Sequence, residues 1–468
     1  MAGSGQLRFQ LQTPSTQPKP ATLQTTRALP REQAQRANLD ANGVFKLITD
    51  DRFFSTIESH LPPHRERTFT PTETLAMFVA QVLSDDSSCQ RAVDERIVRC
   101  IEHGLKPSSS STAAYCETRA RLPLSMIEAL YKQVGQHASD SALPVSRWCG
   151  RRALFIDGTG ATMPDTPENQ QAYPQPSSQQ SGIGFPEARL VALSCAATGA
   201  IVDATHGPAK GKATGELSQM RILARSLRPD DVLVGDALYE TFWTFLMLQQ
   251  RGCDGVFEIN GSRSRPGPRC TRVTLKRPAR PEWMDPETYR SSPRQIIVRQ
   301  VLKRKRGYEP KVILTTLSDS KQFSDKQITK LFIQRWNVET DFRSLKCALD
   351  AGILSCRTPE MIEKELAVHL LAYNLTRLLM NEAAVLCGCE PRSISFRHTV
   401  QLWSTWLLHG CELDEQGWIH LLEAIAARRV GKRPGRREPR AVKRRPKTRP
   451  LLDMPRSAAR SCCHLYER

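Results

Sequence analysis

The chain predicts an α/β fold. A mixed sheet carries helices on its faces, a β-rich insertion interrupts it, an all-α N-terminal region precedes it and a helical C-terminal region follows. Three observations support this reading. Between residues 150 and 259, short apolar runs and amphipathic stretches follow one another as three strands, a helix, a strand, a helix and a strand. Between 260 and 318, runs of β-type composition replace that scheme. Before 150 and after 318, the apolar spacing is helical and bounded by cap residues.

Residues 1–40 are rich in Gln, Thr and Pro and poor in large apolar side chains, the composition of a disordered segment. A helical region, 41–147, comes next. Thr70 as N-cap, Pro71 at the first helical position and Glu73 closing a capping box open the helix TPTETLAMFVAQVLS. The turn Asp85-Asp86-Ser87 leads to a second helix, SCQRAVDERIVRCIEHG. Two helices joined so tightly either form a helix-turn-helix, with Arg91, Arg96 and Arg99 facing DNA, or simply pack as a hairpin. Further helices are expected at 112–121 and 124–138, with Ser-rich 108–111 as a linking loop.

The texture changes after Gly150. The run ArgAlaLeuPheIle enters Asp157-Gly158, which reads as a buried strand with an acid at its end. LVALSCA and AIVDAT flank a Thr198-Gly199 turn and read as a hairpin, and GELSQMRILARSL as an amphipathic helix. ValLeuValGly ends at Asp236, a second strand delivering an acid. A helix, ETFWTFLMLQQRG, and a fifth strand, GVFEI, complete the first part of the core, 148–259. The insertion, 260–318, contains RVTLK, QIIVRQVLK and KVILTTL, with Lys303, Arg304, Lys305 and Arg306 at a basic hairpin tip. The second part of the core, 319–388, holds one helix from about 324 to 348 and another opened by Thr358 and Pro359 that stops near Gly388. Helices at 396–409 and 417–428 belong to the C-terminal region, 389–427, and a disordered tail spans 428–468.

Charge is unevenly placed. The formal net charge is +19, yet residues 261–311 hold 15 Lys and Arg against 4 acids, and residues 428–449 hold 12 against 1. The rest of the chain is close to neutral. Two concentrated basic stretches suit a protein that grips a polyanion there. The 14 cysteines include no C-x-x-C pair, so no zinc framework is indicated, and scattered free thiols suit a reducing cytoplasm. No apolar run approaches the roughly 18 residues of a membrane helix, and no hydrophobic signal core opens the chain. A soluble, cytoplasmic protein is expected.

The chemistry centres on LFIQRWNVETDFRSLK. Phe332, Arg335, Glu339 and Lys346 fall within about 60° of one another on a continuous helix at about 100° per residue, and Asp341 falls opposite. One acid is thus flanked by two cations and a ring. A carboxylate that holds a metal beside a phosphate needs such company. A solvated Arg335–Glu339 pair would have the same spacing. With Asp157 and Asp236 at strand ends, three carboxylates could converge and hold a pair of Mg²⁺ ions, for which Mn²⁺ could substitute.

In this order and on this scaffold, the motifs resemble those of bacterial DDE transposases of the insertion-sequence family four, marked by a Tyr-x2-Arg-x3-Glu-x6-Lys signature. Here the signature reads Phe332, Arg335, Glu339 and Lys346. The stretch after Asp157, the segment VLVGDALYETFWTF, and RPEWMDPETY, ILSCRTPEMIEKELAVHLLAYNLTR and AYCETRARLP also resemble family text, over roughly 60–430. The resemblance implies an RNase H-like mixed sheet. It implies cut-and-paste transposition: Mg²⁺-dependent cleavage at the element ends and strand transfer into target DNA, catalysed by Asp157, Asp236 and Glu339. It further implies a homodimer on double-stranded DNA, namely the terminal inverted repeats and the target. By position Arg335 and Lys346 would contact phosphates near the element's end, with Phe332 and Arg343 on the same segment also expected at DNA. Separately, the basic tip Lys303, Arg304, Lys305 and Arg306 and, on the helix-turn-helix reading, Arg91 and Arg96 are expected to contact DNA.

Three positions depart from the pattern: Phe332 replaces Tyr, Ala237 follows the second Asp where Arg is frequent, and Gln180 stands where many relatives have Lys. They motivate a second reading, a transposase-derived DNA-binding protein that no longer cuts. Other residues have plainer expectations. His369 reads as a core histidine, Glu216 as a helix-dipole partner, Tyr173 as loop packing or a DNA contact, and Trp283 as a buried structural ring or a flipped-base contact.

Overall fold

The computed structural model describes residues 45, 51–62, 69–102, 104–107, 109–261, 271–303, 311–409, 415–430 and 454–463. Expectations for 1–40, for Arg304, Lys305 and Arg306, and for the tail over 431–453 lie outside these residues. The helical region comprises α1 (Asp51–His60), α2 (Pro71–Leu83), α3 (Cys89–Glu102), α4 (Ala113–Arg121) and α5 (Leu124–Asp140). The core follows with β1 (Ala153–Thr162), α6 (Pro167–Ala172), β2 (Glu187–Cys195), β3 (Ile201–Pro208), α7 (Glu216–Leu223), β4 (Val232–Gly235), α8 (Phe242–Gln250) and β5 (Asp254–Glu258).

The insertion holds β6 (Arg272–Lys276), α9 (Pro286–Ser291), β7 (Gln295–Lys303) and β8 (Lys311–Thr315). Then come α10 (Asp325–Gln334), α11 (Asn337–Ala348), α12 (Pro359–Leu386), α13 (Phe396–His409), α14 (Glu415–Ala427) and α15 (Arg456–Cys463). The last of these is a helix within the stretch expected to be disordered. Among the described residues, eight strands form one mixed sheet in the order β3-β2-β1-β4-β5-β8-β7-β6. The β-rich insertion is therefore not a separate body. Its β8 pairs antiparallel with β5 and extends the same sheet.

Alternation along the strands sends side chains to two faces. On one face Phe155, Val234 and Val256 join a core with α1, α2, α5 and α10–α14. On the other, Leu154, Ile156 and Leu233 pack with α7 and α8. Helix α5 belongs to the first core rather than to a detached domain, so the boundary expected after 147 is not a break in packing. Tyr131 donates to Ala204 O at 3.0 Å, and Asn374 of α12 bridges Tyr131 O and the backbone of Ile201. The approach is close because residue 135 is Gly: a Cβ there would lie 2.0 Å from Ile201 O.

At the start of α2 half of the expected capping box forms: Thr70 accepts from Glu73 N at 3.2 Å, while the Glu73 side chain turns elsewhere. The Glu73 carboxylate accepts from Arg96 at 2.6 Å, and the Arg96 guanidinium lies 4.6 Å over Phe69. Arg96 thus ties the hairpin together, which corrects its expected DNA-facing role. Arg91 is exposed and pairs with Glu95 along its own helix.

Candidate active site

The two aspartates are brought together by the register of parallel strands. Ala153, Leu154 and Phe155 pair with Val232, Leu233 and Val234. Two residues further along each chain lie Asp157 and Asp236, on backbones that run about 5 Å apart. Asp157 does not end its strand, as expected, but sits in the middle of β1, which continues to Thr162 opposite β2. It is β4 that stops, at Gly235, and leaves the edge of β1 open beside Asp157.

Each aspartate uses one oxygen locally. Asp157 Oδ1 accepts from Gly158 N at 2.8 Å, and Asp236 Oδ1 accepts from Leu238 N at 2.8 Å in a turn. The second oxygen of Asp157 lies 3.9 Å from Arg335 Nη1. Burial pushes the Asp157 carboxyl up to about 6. The Gly158 N–H and Arg335 oppose the rise, and the neighbouring charges of Asp236 and Glu216 add to it. A carboxylate crowded by two others in a half-buried place is short of positive charge.

The signature helix is not continuous. Helix α10 opens with a full capping box at Ser324 and Gln327, and its core-facing residues are Ile328, Leu331 and Phe332. It ends at Gln334, and α11 starts at Asn337 after a two-residue turn that leaves Trp336 exposed. Phe332 is 5% exposed, so its ring packs in the core with Arg335 at 5.9 Å, and it offers no open face to a base. That corrects its expected contact with DNA.

Helix α11 packs along β1. Arg335, just before it, stands at Asp157. Lys346, near its end, feels Glu187, which pairs with Thr162 at the far end of β1. Burial holds the Lys346 ammonium below its usual value, and Glu187 opposes this. Gly352 O accepts from Thr162 N at 3.0 Å, and Thr162 O accepts from Leu354 N at 2.8 Å. Glu339 is half-buried in the first turn of α11, one turn after Arg335. Arg343, a turn later, is exposed. Among the described residues no three His, Cys, Asp or Glu side chains stand close enough to hold an ion jointly. The three expected acids therefore do not form a ready-made ion site: Asp157 and Asp236 follow the paired ends of β1 and β4, and Glu339 stands in the first turn of α11.

The opposite stripe of α11 carries an anchor that sequence reasoning missed. Asp341 is 1% exposed and accepts from Arg377 at 2.8 Å, from both ends of the Arg392 guanidinium at 2.9 and 3.0 Å, and from Ser194 at 2.6 Å. The signal was present: an Asp between Val338, Phe342 and Leu345 on an amphipathic helix must be buried, and a buried acid needs cations. This cluster fixes α11, and with it Glu339, to β2, α12 and the turn after α12.

Other expectations resolve simply. His369 is buried, and desolvation lowers its pKa, so it is a neutral core histidine. Tyr173 is buried and donates to Glu363 at 2.9 Å, which is loop packing. Trp283 is half exposed rather than buried, with Arg221 over one face at 4.3 Å and Trp243 at its edge. Lys303 is half-buried at the end of β7, and Gln180 is exposed. No described helix is long and apolar enough to cross a membrane.

Comparison with known proteins meets the same segment. Residues 148–375 match the family model described as a transposase DDE domain. The chain is 24% identical over 360 residues to the transposase InsG for insertion sequence element IS4 of Escherichia coli (strain K12), covering 71% of this chain and 77% of that protein. Among solved structures, a piggyBac transposase synaptic complex with hairpin DNA aligns over 85% of this chain and 86% of its own, at 11% identity and a TM-score of 0.43.

Proposed function

We propose that this chain, whose residues 148–375 match a transposase DDE domain, is a DDE transposase of insertion-sequence family four that cleaves DNA at the ends of its own element and joins the freed ends to target DNA. The observation that carries the proposal is that Asp157 and Asp236 each lie two residues beyond the last paired residues of the adjacent parallel strands β1 and β4, with Glu339 on the helix that packs along β1. The strand order β3-β2-β1-β4-β5, antiparallel over the first three and parallel from β1 to β5, supports an RNase H-like core.

The donor set fits a hard divalent cation. It is all carboxylate, one oxygen of each aspartate is free of backbone bonds, and the pair lacks positive charge. Asp157, Asp236 and Glu339 would hold Mg²⁺ or Mn²⁺, Glu339 by turning its side chain toward the pair. When bound, such ions activate an attacking oxygen and stabilise the leaving 3′ oxygen.

The protein's own groups do the rest. Arg335, which faces Asp157 at 3.9 Å, is placed to turn to a phosphate once a cation neutralises that acid. Exposed Arg343 and half-buried Lys346 line the same helix and extend the phosphate track toward the end of β1. Cutting two ends in concert calls for a homodimer on DNA.

The test uses full-length protein, duplexes carrying the terminal inverted repeats that flank this reading frame, and Mg²⁺ or Mn²⁺. Wild type should nick at the repeat ends. Asp157→Ala and Asp236→Ala should each bind in a gel shift yet lose cleavage by several orders of magnitude. Cleavage that survives Asp157→Ala defeats the assignment. Wild type that binds without cutting is the outcome of the second reading, a DNA-binding protein of transposase descent.

A further inference from the structure

Glu216 occupies a place that its sequence context does not announce. It opens α7 after Gly215, where an acid ordinarily serves the helix dipole. Helix α7 lies on the face of the sheet opposite α11, since Met220 and Leu223 pack with Leu154 and Ile156, while Val338 and Phe342 pack with Phe155. An acid there should be shut off from Asp157 by the strand between them.

The strand admits a close approach at that point. The residue after Asp157 on β1 is Gly158, and a Cβ built there would lie 2.5–2.9 Å from the carboxylate carbon and both oxygens of Glu216. The space a side chain would fill is taken by the Glu216 carboxylate. A second tie comes from the turn after β4. Tyr239, fully buried and three residues beyond Asp236, donates to Glu216 Oε2 at 2.9 Å. One oxygen of Glu216 is thereby fixed, as one oxygen of each aspartate is fixed by a backbone N–H.

We propose that Glu216 is a further carboxylate of the divalent-metal pocket, held against the backbone at Gly158 on the α7 face of the sheet and acting on the ion past the end of β4, where Asp157 and Asp236 lie. The inference rests on the transposase reading above and adds a carboxylate to it. Glu216 supplies negative charge, and an oxygen through one water, to the ion from the face opposite Glu339. The buried Tyr239 hydroxyl orients it.

The test is a Mn²⁺ titration of the full-length protein without DNA, followed by electron paramagnetic resonance of free Mn²⁺, on wild type, Glu216→Gln, Asp157→Asn and Asp236→Asn. Glutamine keeps an acceptor for Tyr239 and nearly the same shape, so a structural role survives that change while the charge does not. Glu216→Gln should weaken Mn²⁺ binding about tenfold or more, within the range seen when an ordering or ligating group of a metal site is lost. Wild-type affinity in Glu216→Gln beside a clear loss in Asp157→Asn overturns this inference and leaves the catalytic reading intact. Wild-type affinity in all three variants overturns the metal site itself. Anomalous scattering from a Mn²⁺-soaked wild-type crystal reads the same point without a variant: an ion in contact with Glu216 or one water away supports the proposal, and an ion on the aspartates with Glu216 remote defeats it.

Discussion

Replacing Asp157 by Asn should stabilise the metal-free protein while abolishing cleavage. Burial and the charges of Asp236 and Glu216 move this carboxyl from 3.8 to about 6. A group whose folded-state pKa is raised binds more protons folded than unfolded, so stability falls as pH rises between those two values. At 1.36 kcal/mol for each decade, the ionised folded protein carries about 3 kcal/mol of cost above pH 6, an upper figure because the side chain is still 20% exposed. Asn cannot ionise and can keep the acceptor for Gly158 N. The Asn variant should therefore melt a few degrees higher than wild type at pH 7.5 in chelator-treated buffer. The gap should shrink toward pH 5 and level off above about pH 7. Mg²⁺ should raise the melting temperature of wild type only, closing the gap from the other side. A variant that is no more stable than wild type, or whose gain is the same from pH 5 to 8, refutes the picture of a charge-starved carboxylate.

Further predictions concern the frame around the site and its grip on DNA. Asp341→Ala leaves Arg377 and Arg392 buried without their acid and should cost about 3–5 kcal/mol in thermal or denaturant melting; a change under about 1 kcal/mol would show that the cluster does not anchor α11. Gly135→Ala puts a Cβ 2.0 Å from a backbone oxygen that cannot yield, so melting should reveal about 1–3 kcal/mol of destabilisation, and unchanged stability would contradict the close packing of α5 on β3. Arg91→Ala loses only an exposed i,i+4 pair, so stability should move by less than about 0.5 kcal/mol. If Arg91 meets a phosphate, the slope of log affinity against log salt should fall by about 1, and an unchanged slope removes it from the DNA interface.

Much of the fold was legible because its signals are local. Apolar runs, Gly turns and caps placed the eight strands and the long helix Pro359–Leu386 close to where they lie. What stayed hidden was set by contacts between distant segments. No local pattern says that the insertion strands join β5 rather than form their own sheet. The two-residue turn at Arg335-Trp336 was also invisible, because the helical spacing runs straight through it.

The same division holds in the candidate site. Asp157 and Asp236 stood out as acids following apolar runs, and parallel pairing did the rest. Arg96 looked like a DNA contact because charge on a second helix reads that way, yet Glu73 and Phe69 claim it. Glu216 read as a dipole partner since nothing nearby in sequence points to Gly158 or Tyr239.

The most direct measurement is a structure of the protein with Mn²⁺ and an uncleaved element-end duplex. The expected result is metal density bridged by the free oxygens of Asp157 and Asp236, with a Glu339 oxygen also in contact at about 2.0–2.2 Å. Ions bound elsewhere, or held at Asp157 with Glu339 still turned away from a correctly placed DNA end, would contradict the assignment of these three acids.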